Sequence, residues 1–152
     1  MRPVVLFAAV VLSLGLTPAA ALAQSEEAVN TSIDNVLGDH APYQKTIEAL
    51  QQGVKNHDAK AVAALVSYPI EIRVKGAEKT IKSADQFVAD YDAIMIPQIV
   101  DAVTGQSYAD LFVNYQGVMF GNGQVWVNGI CKDKACKSVD VKVVAIQQVD
   151  SK

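Results

Sequence analysis

The apolar residues of this chain change their spacing along its length, and those changes constrain the fold more than any single motif does. Tyr43, Ile47, Leu50 and Val54 recur at i, i+4, i+7 and i+11, one face of a helix that Pro42 suits in its first turn. Asn56-His57-Asp58 breaks the pattern, and Asp58 is placed to cap a second helix with Val62, Leu65 and Val66 facing inward. Ser67-Tyr68-Pro69 stops that helix. Ile70-Glu71-Ile72-Arg73-Val74 then alternates apolar and charged, the period of a half-buried strand, and Lys75-Gly76-Ala77 turns it into a return strand through Thr80 and Ile81. Ser83-Ala84-Asp85-Gln86 fits a capping box for a third helix carrying Phe87, Tyr91 and Ile94. Pro97 kinks or restarts it, and Thr104-Gly105 ends it.

The remainder reads as β. Asp110 to Phe120 is rich in β-branched and aromatic residues, Gly121-Asn122-Gly123 is a hairpin turn, and Gln124 to Ile130 and Ser138 to Val149 follow. The phase shift from Val139, Val141 and Val143 to Val144 and Ile146 predicts a bulge near Val143. A hairpin symmetric about Asn122 would oppose residues 118 and 126 and put Trp126 on the face of Val118 and Phe120. This order predicts an α+β fold: about three helices packed on a curved antiparallel sheet that ends in a long three-stranded meander.

The amino end speaks to location. Val4 to Leu16 is an apolar run too short to span a bilayer as a stable helix, and Ala21-Leu22-Ala23 follows it with the small-x-small pattern of a signal peptidase site. The expected division is a signal peptide over 1–23, a polar leader of unclear element type over 24–38 and one domain over 39–152. An uncleaved anchor is the alternative, disfavoured by the short hydrophobic length. Removing residues 1–23 takes away Arg2 and no acid, leaving 12 Lys+Arg against 16 Asp+Glu and a net charge of −4. An acidic chain without a basic cluster argues against nucleic acid and against anionic membrane surfaces. A periplasmic or secreted location, with no membrane insertion after cleavage, is expected.

In such a compartment Cys131 and Cys136, with four residues between them, are most simply a disulfide pinning the tip of a hairpin. The two histidines, His40 and His57, lack metal-binding spacing, so no metal site is expected. Gly121-Asn122-Gly123 has no P-loop lysine and precedes a strand, and Ser83 is better explained as a cap than as a nucleophile. No cofactor is expected.

The element order, with a short hairpin between the second and third helices, resembles the NTF2-like (cystatin-like) superfamily. The stretches that carry the resemblance are Asp58 to Pro69 continuing through Ser83 to Tyr91, and Leu111 to Trp126, "LFVNYQGVMFGNGQVW". It covers roughly residues 40–149 and includes no catalytic signature. It implies a cone-shaped sheet curled around a helix with a pocket at its open end, a frequent habit of dimerising through the outer sheet face, and no fixed function.

Against that frame, acid–base chemistry would fall to His57, Asp58, Tyr91, Asp92 or Tyr115. Asp92 and His57 are the catalytic candidates, although a cap and a solvated loop explain Asp58 and His57 as simply. Tyr91, Tyr115 and Trp126 are either core aromatics or the wall of an apolar pocket. The leading expectation is a non-enzymatic binding domain for a small apolar molecule or an envelope protein, with a homodimer possible. The alternatives are a small lyase- or isomerase-like enzyme, and an inhibitor or immunity-type protein that presents Lys132-Asp133-Lys134 to a secreted enzyme.

Overall fold

The structure, a computed structural model, describes residues 25–74 and 76–148. The expected signal peptide over 1–23 lies outside the described residues. The first element is α1 (Glu26–Val36), a helix where a polar leader is expected. Ser25 Oγ accepts from the Ala28 N–H at 3.2 Å, and Glu26 and Glu27 occupy the positive end of the helix dipole. Val29 and Ile33, at i and i+4, point to one side and are fully buried. That two-residue stripe, set among polar residues, is too short to read as a period. It nevertheless makes α1 part of the core, so the domain begins well before Asp39.

Helices α2 (His40–Lys55) and α3 (Ala59–Ala64) follow, capped by Asp39 and Asp58, whose carboxylates accept from Ala41 N–H and Ala61 N–H at 3.0 Å each. Tyr43, Ile47, Leu50 and Val54 are buried along α2, as their spacing predicts. The third expected helix is three short ones: α4 (Ala84–Ala89), α5 (Tyr91–Ile94) and α6 (Pro97–Gly105). Ser83 Oγ accepts from Gln86 N–H at 3.3 Å, while Gln86 Oε1 accepts from Lys82 N–H at 2.8 Å, one residue ahead of the cap. Phe87, Tyr91 and Ile94 are all buried despite the break at Asp90.

β1 (Ile70–Val74) and β2 (Ala77–Ile81) form an antiparallel hairpin. The other sheet is an antiparallel meander of four strands, β3 (Phe112–Asn114), β4 (Gly117–Phe120), β5 (Val125–Cys131) and β6 (Val139–Ile146), in that order. The expected single strand over 110–120 is divided at Tyr115-Gln116. Asn114 Oδ1 accepts from Gln116 N–H at 2.8 Å, and Gly117 takes φ +128°, a backbone conformation that L side chains rarely adopt.

The β4–β5 turn holds four residues, Gly121 to Gln124, not the three of a hairpin centred on Asn122. Gln124 folds inward and is buried, its Oε1 accepting from Asn122 N–H at 2.5 Å. Val118 therefore pairs with Val127, and Met119 with Trp126. A slip of one residue reverses a strand's faces. Val118, Phe120, Val125 and Val127 line the core, and Trp126 stands on the opposite face, contrary to the expected sharing. The bulge falls where the phase shift predicts it, with Trp126 opposite Ala145, Val127 opposite Val143, and Val144 the extra residue. Cys131 and Cys136 are bonded across the β5–β6 loop, as expected, with Cα atoms 4.7 Å apart. No described helix is long and apolar enough to cross a membrane.

Candidate functional site: an open sheet face

The outward residues of the meander form a row across all four strands. Phe112 pairs with Met119, Met119 with Trp126, and Trp126 with Ala145. Phe112 is 51% exposed, and Met119, Trp126 and Ala145 are half-buried. Ile130, farther along β5, is also exposed, and Tyr115 stands 80% exposed at the β3–β4 turn. Packing of this kind is normally hidden, because each large apolar side chain left in water forgoes roughly 1.5–3 kcal/mol of burial. Asn128 and Lys142 continue the face beside Trp126 and Ala145 as a polar border.

The predicted pocket residues are distributed differently. Tyr91 lies in the core on α5, where its ring meets His57 edge-on at 5.1 Å and Phe87 at 6.1 Å. Its hydroxyl is buried without a hydrogen-bond partner, and burial, then the charges of Asp92 and Asp58, raises its pKa. Trp126 is on the open face and Tyr115 at a turn, so ring contact does not unite the three. Three surface grooves, of about 510, 340 and 400 Å³, include none of them.

The catalytic candidates do come together. His57, at positive φ in the α2–α3 junction, places Nε2 3.1 Å from Asp92 Oδ1. Their side chains are 73% and 85% exposed. Acid–base catalysts depend on burial or a cleft to tune their affinity for protons, and this pair has neither. The contact is a surface tie between α5 and the α2–α3 junction.

A second tie joins α1 to α2 and is one that sequence spacing alone conceals. His40 Nδ1 lies 2.9 Å from both oxygens of Asp34, and the His40 N–H donates to Asp34 Oδ1. These hydrogen bonds hold the Asp34 carboxyl below its usual range. Asp39 stands close enough for the three to share a cation geometrically. The hydrogen bonds between His40 and Asp34 tie α1 to α2 at this junction. At the β5–β6 tip Asp133 Oδ1 accepts from Ala135 N–H at 2.9 Å, so the charged loop is ordered by its own aspartate as well as by the cystine.

No protein-family model matches the chain, and comparison with curated proteins and with solved structures found no match either.

Proposed function

We propose that this chain is an exported, non-enzymatic binding domain of NTF2-like architecture that holds another protein of the cell envelope against its open sheet face. The observation that carries the reading is the cross-strand row Phe112–Met119–Trp126–Ala145. A contiguous apolar surface containing aromatics and methionine and bordered by polar side chains has the composition of a protein interface. Two features favour a macromolecule over a small apolar ligand. The face is open, and the interior between helices and sheet is filled by large side chains such as Tyr43, Phe87 and Phe120. The signal-like amino end and the Cys131–Cys136 bond support an oxidising compartment. The helices on one side of a twisted meander, with a hairpin beside it, support the NTF2-like assignment.

The test is site-specific photo-crosslinking in the native envelope, with a benzophenone side chain at Phe112 or Met119 and a control at Lys55. The expected result is one defined protein adduct from the first two positions and none from the control. An adduct with a second copy of the chain would make the face a dimer interface and overturn the reading. Absence of adducts at Phe112 and Met119 would overturn it as well.

A further inference from the structure

A groove lies between the hairpin and the meander. The segment leading into β1 runs parallel to β6 and is joined to it at one point. Val143 N–H donates to Leu65 O at 2.8 Å, and Ser67 N–H donates to Val143 O at 2.9 Å. In a parallel ladder the next donor after Ser67 would be residue 69, which is Pro69 and has no N–H. The ladder ends there, and the bulge at Val144 shifts the phase of β6 at the same level. Beyond this point β1 and β6 border a groove of about 510 Å³, within the size range of ligand sites.

Both walls of this groove are strand edges. β1 is paired with β2 on its far side, and β6 with β5 on its far side. Gln147 N–H is spent on Gln124 O, so by antiparallel alternation the main-chain groups of Ile146 turn toward the groove. In the β1–β2 hairpin the two-residue connection makes Val74–Ala77 a hydrogen-bonded pair, which turns those of Glu71 and Arg73 the same way. No backbone hydrogen bond joins β1 to β6 among the described residues. Ile72 and Ile146 are buried, while Glu71, Arg73 and Gln147 are exposed, so the groove has an apolar floor and a polar rim.

We propose that this groove binds an extended peptide segment of a partner protein, which adds as a strand and bonds main chain to main chain with the free edge of β1. A free strand edge with alternating floor and rim is complementary to a β-strand of alternating character. Charge refines the choice. Arg73 is engaged with Glu78 at 3.9 Å, whereas Glu71 has no ion-pair partner among the described residues. The bound segment therefore carries β-branched residues toward the floor and a lysine or arginine on the rim beside Glu71. The groove adjoins the sheet face proposed above at Ala145, which belongs to both, but its occupant is tested separately.

The experiment is selection of a phage-displayed random dodecapeptide library against the mature chain with its disulfide intact. Enriched peptides are expected to alternate β-branched and polar residues with at least one cation. They should slow amide exchange at Glu71 and Arg73. N-methylation of alternate peptide amides should weaken binding at least tenfold, and Glu71→Lys should do the same while leaving the circular dichroism spectrum unchanged. Three results would each overturn the proposal: no enrichment, indifference to N-methylation, or peptides that perturb Phe112 and Trp126 but not the groove amides. The last would leave the sheet-face reading intact.

Discussion

The hydroxyl of Tyr43 donates to Asn128 Oδ1 at 3.1 Å and accepts from Gly129 N–H at 3.0 Å, so a helix side chain closes the hydrogen bonding of a strand. Tyr91 is buried as deeply but its hydroxyl has no partner. The two tyrosines should respond oppositely to loss of oxygen. Tyr43→Phe removes a satisfied group and should cost about 1 kcal/mol in urea unfolding, whereas Tyr91→Phe removes an unsatisfied one and should be neutral or stabilising by up to about 1 kcal/mol. Equal destabilisation by both would contradict the hydrogen-bond assignment. The phenols of Tyr68 and Tyr108 are pushed up to about 12 by burial. Because folding raises them above the ordinary value of about 10, the stability they contribute is complete below pH 10 and lost as the pH climbs through 12. Absorbance at 295 nm followed with melting temperature should show both changes in that window. None of this distinguishes one tyrosine from another in the sequence, because the hydroxyls of Tyr43 and Tyr108 find their partners 85 and 78 residues away.

Among the elements, α1 shows where sequence patterning loses force. Ile33→Ala should cost about 2–5 kcal/mol in chemical denaturation, the price of a core cavity, while a loosely held leader would lose almost nothing. The long amphipathic helix α2 was legible because four apolar residues repeat over three turns; α1 presents only Val29 and Ile33 and takes its remaining support from Ser25, the sheet and Tyr108. The β4–β5 turn teaches a related lesson. Gly121-Asn122-Gly123 announces a reversal, but whether Gln124 belongs to the turn or to the strand depends on its buried amide, and that one residue decides which face Trp126 occupies. At the β3–β4 turn, Gly117→Ala should destabilise strongly, by more than about 1 kcal/mol. An added Cβ would lie 2.3 Å from Val127 O at a positive φ, and thermal unfolding measures the loss.

For the molecule as a whole, α+β layering, the order of the major elements, the bulge and the cystine were readable, because each has a local signature in spacing, turn residues or composition. The candidate site was not, since a surface is defined by what fails to cover it. His57 and Asp92 could be named one at a time, but their contact and its exposure follow from how α5 packs on the α2–α3 junction. The disulfide closes a short loop, and reducing it should lower stability by about 2 kcal/mol without unfolding the domain, which urea titration with and without reductant would show.

The attachment of α1 has a consequence for the order in which the chain can acquire its structure. Besides α2, it packs on β3 and the turn at Tyr108–Asp110, and Tyr108 bonds Asn30 across 78 residues. A polypeptide appearing amino end first offers this helix only α2 until more than two-thirds of its length has emerged. The burial of α1 is thus completed only late in synthesis, a long-range closure that slows the folding of the whole domain.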